Sequence, residues 1–407
     1  MNLESKKNIH MNNNLLTNIS GIINRRNFLR NMALIGASGI AASSLQAGVL
    51  SNNADDDPFQ MGGAPAKQPA KSGKLTVKQV LDNARDAMSP HCRVCPECDG
   101  VACAGEFEIG GVGSGMSFRN NFSSLQRICL NMSTLADTEE LIRKPDPSTI
   151  IFGQKLAFPA IAAPVGPVIL KLGKGIEKDK YFDAVIGGCF DAGIAGSIGD
   201  NPNLTVEVFK QHCDYIAAVN GKALMGLKPR LAKDMLPLLP YIEQAGTFMI
   251  DIDTDSGGRY PTADLLKITQ STKIPVVVKG VMTITDAKRA RDAGAKGIVV
   301  SNHGGRRLDY TQGTADVLPI IADAMNGELT IFADGCVRYG ADVLKYIALG
   351  ADCVLIGRHV IKGAFGGGRQ GVTLLMNNMR QELISAMSLT GVSNVKNITR
   401  DILAVNK

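Results

Sequence analysis

Tryptophan is absent from the 407 residues, and aromatic side chains make up only 5% of them. Surfaces that stack nucleic-acid bases depend on such rings, so that class of partner gains no support. A membrane span needs about 18 or more strongly apolar residues in a row. The moderately apolar stretch Asn31 to Ala47 falls short of this, because Gly, Ser and Gln interrupt it. Also missing is a Gly-x-Gly-x-x-Gly turn after the first expected strand, the mark of a dinucleotide fold. What is present is 45% apolar content and 44 glycines. That composition excludes disordered and fibrous classes and suits a large core with many tight strand-to-helix turns.

The N-terminal segment biases the charge. Asn24-Arg25-Arg26-Asn27-Phe28-Leu29-Arg30 precedes the apolar stretch, which ends in the small-residue exit Leu45-Gln46-Ala47. This order resembles a bacterial twin-arginine export signal. The resemblance implies a periplasmic or cell-envelope protein, exported folded and often with its cofactor inside; a retained N-terminal anchor is the rival. Without residues 1–47 the chain loses five basic residues and one acidic one, so a net charge of +6 falls to +2. A near-neutral mature chain gives no reason to expect a polyanionic partner.

Residues 48–74 read as a flexible linker rich in Asn, Asp, Ala and Pro. An extension over 75–149 follows, with helical spacing at 76–88, a cysteine-rich segment and a glycine-rich run at 110–115. From residue 150 to 407, short apolar runs alternate with amphipathic segments. Strands are expected at 157–163, 194–197, 223–227, 248–252, 275–279, 297–301, 329–333 and 353–356. Helices are expected near 179–192, 204–218, 232–245, 262–271, 284–293, 314–325 and 338–348, with a closing helix after 359. Eight such units predict a TIM (β/α)8 barrel, an α/β fold with an N-terminal helical and Cys-rich extension. An open doubly wound sheet is the alternative.

A barrel places its chemistry at the C-terminal ends of its strands. Asp251 and Asp253 end the fourth strand, Lys279 the fifth, Ser301-Asn302-His303 the sixth, Asp334 the seventh and Gly357-Arg358 the eighth. The stretch "VVSNHGGRRLD" resembles the signature of the FMN-dependent α-hydroxy-acid oxidising enzymes, the glycolate oxidase, lactate oxidase and L-lactate dehydrogenase type. "IAAPVG" at 161–166, "IDIDT" at 250–254, "VVVKGV" at 276–281, "FADGCVRYGADVLKYIALGAD" at 332–352 and "VLIGR" at 354–358 follow the family order.

The resemblance implies an FMN enzyme that oxidises a small 2-hydroxy acid to the 2-oxo acid. His303 is the base, Asp253 its carboxylate partner, and Arg306 the fork that clamps the substrate carboxylate. Lys279 and Ser301 contact the flavin ring, Lys279 supplying a cation at the edge that becomes negative on reduction. Asp334-Gly335-Cys336-Val337-Arg338 and Gly357-Arg358 hold the phosphate through backbone N–H groups and guanidinium forks. Arg259 is a further candidate for substrate binding.

Several positions depart from the family. Met225-Gly226-Leu227-Lys228 replaces the usual Phe-Gln-Leu-Tyr, Asp251 stands where threonine is usual, and Asp253 and Lys279 are only 26 positions apart. A long lid therefore has no room. Two other readings stay open: an FMN-dependent non-redox isomerase of similar barrel type, and a flavin-binding protein that has lost turnover. The complete His-Gly-Gly-Arg loop favours oxidation. The acceptor is oxygen, a quinone or a protein, and a homo-oligomer is one option for assembly. Finally, Cys92, Cys95, Cys98 and Cys103 fall within twelve residues, a density that suits an iron–sulfur cluster, zinc or two disulfides.

Overall fold

The computed structural model describes residues 74–404 except 107–108, 167–172 and 174–175. The twin-arginine segment, and the linker up to residue 73, lie outside the described residues.

Eight parallel strands form the barrel: β1 (Ala160–Ala162), β2 (Gly196–Gly199), β3 (Ala223–Leu227), β4 (Met249–Asp253), β5 (Val276–Val281), β6 (Gly297–Val300), β7 (Thr330–Ala333) and β8 (Cys353–Ile356). Each expected strand is present. β8 pairs with β1 through Val354↔Ala160, and a bridge between Ile161 and Ala195 brings the circle back to the approach to β2. That bridge decides for a barrel over an open sheet.

Strand residues are buried almost throughout, as expected when helices cover one side and side chains fill the other. The interior is a cluster of Ile161, Leu224, Met249, Val277, Val299, Phe332 and Leu355. A hairpin of Thr149–Ile151 and Gln154–Leu156 runs into β1. It adds Ile151 and Leu156 to that cluster and sets the Phe152 ring 6.1 Å from that of Phe332. The hairpin plugs the end where strands begin, leaving the opposite mouth for chemistry.

The expected helices occur with local changes. The 232–245 segment breaks into Ala232–Met235, a 3-10 turn and Leu239–Gln244, because Pro237 and Pro240 each lack an N–H and must sit at a helix start. The 338–348 helix starts at Gly340. The Asp342 carboxylate takes the backbone N–H groups of Arg338 at 2.9 Å and Tyr339 at 3.0 Å, which keeps both in the loop.

In the extension, α1 (Val77–Met88) begins with a Thr76/Gln79 capping box. It buries Val80, Ala84 and Met88 against α3 (Arg358–Leu389), the closing helix. α2 (Met116–Gln126) lies on the loop that follows β6. The extension belongs to the same compact unit as the barrel. Among the described residues, no helix is long and apolar enough to cross a membrane.

Phe332 is fully buried inside the barrel. Phe332→Ala is expected to cost about 3–5 kcal/mol of stability by opening a cavity, read as a lower midpoint in urea unfolding. A change under about 1 kcal/mol would mean that the interior is not packed as described.

Candidate active site

The mouth is organised by charge. Alternation along β4 sends Met249, Asp251 and Asp253 to one side, and the strand register sets Asp253 opposite Lys279 of β5. Lys279 Nζ lies 3.0 Å from Asp253 Oδ1, and both residues are buried, at 4% and 5% exposure. The other Asp253 oxygen accepts from Lys228 Nζ, and from Ser256 Oγ at 2.6 Å. Burial alone would raise the Asp253 carboxyl. Lys279 first, then the His303 hydrogen bond and Lys228, hold it well below the usual range. Burial disfavours the Lys279 cation in turn, but Asp253, Asp255, Asp334 and Asp251 together keep it charged. Beneath them, burial drives the Asp251 carboxyl well above its ordinary range.

His303 opens the loop after β6 in the left-handed region, at φ 58°. Its N–H donates to Ser301 Oγ at 3.0 Å, and that hydroxyl donates to Asp334 Oδ2 at 2.9 Å. Gly305, at φ 77°, permits close packing, because a Cβ there would collide with the backbone of Phe118 in α2. Asp309 completes the clamp by accepting the N–H groups of Ser114 at 2.5 Å and Met116 at 3.1 Å. The imidazole Nδ1 is 2.6 Å from Asp255 Oδ1 and 3.3 Å from Asp253 Oδ1. Burial, then Lys279 and Arg306, lower the His303 pKa from 6.5, against the two aspartates that raise it. The ring is therefore neutral at pH 7, and with Nδ1–H donated to Asp255 the lone pair resides on Nε2.

The structure thus divides the role expected of Asp253. Asp255 is the nearer imidazole partner, while Asp253 chiefly binds two lysines. The signal for Asp255 was the i, i+2, i+4 spacing of aspartates in "IDIDTD". Lys228, noted only as a departure, proves to be an ion-pair partner inside the site.

Two adjoining cavities share Pro164, Val165, His303 and Arg306. One, of about 340 Å³, is also walled by Asp200, Lys228, Ser256 and Arg307. The other is narrower and is lined by Lys279, Asp334, Gly335, Cys336, Val337, Arg338, Gly357 and Arg358. The expected base, clamp and cofactor loops therefore converge on one place, with Ser301 buried just behind Asp334. Arg259 does not join them. It follows a Gly257-Gly258 turn, is exposed, and lines a separate cavity with Tyr260, Asp286 and Arg289.

The narrow cavity gathers positive charge. Arg358 stacks on the Phe118 ring at 4.0 Å and donates to the carbonyls of Ile109 and Gly304 at 3.0 and 3.2 Å. Burial, with Arg306 and Arg338 nearby, lowers its pKa to about 10. Arg338 Nε and Asp334 Oδ1 are buried without a hydrogen-bond partner. Gly335 turns the loop at φ 105°, where a Cβ would press on the Thr314 hydroxyl.

Comparison with known proteins finds the same fold and family elsewhere. Residues 248–405 fit the family described as FMN-dependent dehydrogenase. A 2-hydroxyacid oxidase of Dictyostelium discoideum is 45% identical over 140 residues, 34% of this chain and 36% of that one. An L-lactate dehydrogenase of Yersinia pestis (strain Pestoides F) is 49% identical over 133 residues, 33% and 35% of the two chains. The matched segment spans about a third of the length of these curated relatives. The structure of a mandelate oxidase aligns at TM-score 0.66 and 28% identity, covering 82% of this chain and 98% of that one. A mandelate oxidase variant with a monooxide FMN adduct aligns at TM-score 0.63 and 32% identity, covering 72% and 93%. The chain belongs to the FMN-dependent dehydrogenase family.

The family's cofactor suits the residues present. A dianionic phosphate answers a cavity edged by Arg338 and Arg358, one of them with an unsatisfied N–H, and Lys279 supplies a fixed cation for the ring's anionic edge. Asp253→Asn, which takes from buried Lys279 its nearer carboxylate, is expected to cost up to about 3–5 kcal/mol of stability. Asp255→Asn should cost less, since its carboxylate is 3.7 Å from Lys279 Nζ. Urea unfolding of the flavin-free proteins at pH 7 orders the two, and the reverse order would contradict this division of roles.

Proposed function

We propose that the protein oxidises a small 2-hydroxy acid to the 2-oxo acid in an FMN-dependent reaction. The observation that carries this reading is a neutral His303, braced through Nδ1 by Asp255, facing a cavity that it shares with Arg306 and Lys279. Arg306 donates through Nε to the His303 carbonyl at 3.0 Å, which ties anchor and base into one unit. The guanidinium binds the substrate carboxylate and aligns the α-carbon. His303 Nε2 takes the substrate proton, and Asp255 and Asp253 stabilise the imidazolium that results. FMN, when bound, supplies the acceptor for the hydride equivalent from the α-carbon. Lys228 takes the place of a substrate-facing tyrosine and gives the larger cavity a basic wall with Arg307.

Anaerobic mixing with a panel of 2-hydroxy acids should bleach bound flavin for at least one member. Retention of full flavin colour with every member would favour a binding protein or an isomerase instead. His303→Ala should bind FMN and slow bleaching by about 10²–10⁴-fold, and Arg306→Lys should raise KM while lowering kcat. Because only neutral imidazole accepts the proton, bleaching should weaken as pH falls through a value below 6.5. Asp255→Asn removes a group that raises this pKa, so it should move the limb to lower pH as well as slow the reaction. A limb that stays in place would assign the titration to another group.

Export belongs to the same proposal and is supported by the Arg25-Arg26 motif. Replacing both arginines by lysine should keep the flavoprotein in the cytoplasm of a twin-arginine-competent bacterium. Unchanged export of that variant would refute the route.

A further inference from the structure

The cysteine segment does not take part in the chemistry above, yet it rests on the cofactor loop. Cys92, Cys95, Cys98 and Cys103 are each partly buried, while the intervening Arg93, Pro96, Glu97, Val101 and Ala102 are exposed. The loop has neither strand nor helix, and Val94 and Gly100 are buried between the cysteines. The loop holds this shape with little backbone support: among the described residues, no backbone N–H of residues 93–100 donates to a backbone carbonyl. Val94 and Gly100 adopt left-handed φ values of 44° and 86°. An irregular segment with so little backbone support is one whose shape a bound metal would fix.

The surroundings ask for negative charge. Arg338 donates to Cys98 Sγ at 3.3 Å. Lys362, on the first turns of α3, is only 5% exposed. Among the described residues no carboxylate lies within ion-pair distance of Lys362, Arg338 or Arg358, and Cys98 and Cys92 are the anion-forming groups that act most strongly on Lys362. Cys103 in turn lies within reach of Cys98, Cys92 and Cys95. A flavin phosphate on Arg338 and Arg358 leaves Lys362 uncompensated, and a buried lysine in that state is costly. A four-thiolate centre carries net negative charge and supplies the missing counter-ion.

We infer that Cys92, Cys95, Cys98 and Cys103 ligate an iron–sulfur cluster seated against the phosphate loop through Cys98 and Arg338. Sulfur spacing favours a cluster over a single zinc. Tetrahedral zinc with bonds of about 2.3 Å draws its sulfurs to about 3.8 Å from one another. Among the described residues, no three of these sulfurs lie within 4.8 Å of one another; the one set of metal-capable groups that does is Asp253, Asp255 and His303. In a 4Fe–4S cluster each of four thiolates binds its own iron corner, which suits wider spacing. All four thiols are free, so the ligand set is intact. Arg338 and Lys362 stand as the cations that stabilise the centre.

The test is metal and sulfide analysis of the full chain purified without oxygen, and again after incubation with ferrous iron, sulfide and a thiol reductant. FMN is quantified in the same samples. The expected result is iron and acid-labile sulfide in equal amounts and a paramagnetic signal on dithionite reduction. Cys92→Ala/Cys95→Ala should lower both iron and sulfide at least tenfold while FMN stays bound. Zinc without sulfide, two disulfides, or four free thiols with no metal after reconstitution would each overturn the inference. Because FMN is counted separately, a flavin-loaded but iron-free protein refutes the cluster alone, and an iron-loaded but flavin-free protein refutes the flavin site alone.

Discussion

The ion pair between Lys279 and Asp253 is the constraint on which the rest of the mouth depends. A lysine at 4% exposure is tolerable only beside a carboxylate, and the β4–β5 register provides one directly opposite. Lys228 then reaches the other Asp253 oxygen, and Asp255 lies 3.7 Å from Lys279 Nζ. At His303, burial and the nearby Lys279 and Arg306 outweigh the two aspartates and keep the ring neutral. Asp251 fits the same logic: burial, with Asp253 and Asp255 nearby, pushes its carboxyl well above the ordinary range.

The loop that carries His303 is held from outside the barrel. Asp309 binds the N-terminal turn of α2, Asn121 of that helix donates to Asn302 at 2.7 Å, and Phe118 supports Arg358. The extension is thus a structural wall of the site. It fixes a histidine in left-handed backbone and brings the cysteine segment to the phosphate loop. Strain at φ 58° is affordable where so many contacts determine the conformation.

The barrel was legible because its signals are repeated. Buried parallel strands read as short apolar runs, and eight of them at regular spacing leave little choice of fold. The site's members were legible because polar residues at strand ends stand out against those runs. What escaped was partner choice. "IDIDTD" presents three aspartates in alternation, and nothing in the alternation says which takes the lysines and which the imidazole. That depends on β4 ending at Asp253 and the following 3-10 turn carrying Asp255 back over His303. Arg259 failed for a related reason, since a Gly-Gly turn leaves the direction of the next side chain open until the chain is folded. The helix break at 236–240 was written in two prolines that the apolar periodicity obscured.

The central claim is the protonation state and tautomer of His303. Nitrogen NMR of ring-labelled histidine, assigned by comparison with His303→Ala, reads both directly. The account predicts a neutral ring at pH 7 with the proton on Nδ1, titrating below 6.5. An imidazolium at pH 7, or a neutral ring protonated on Nε2, would contradict it.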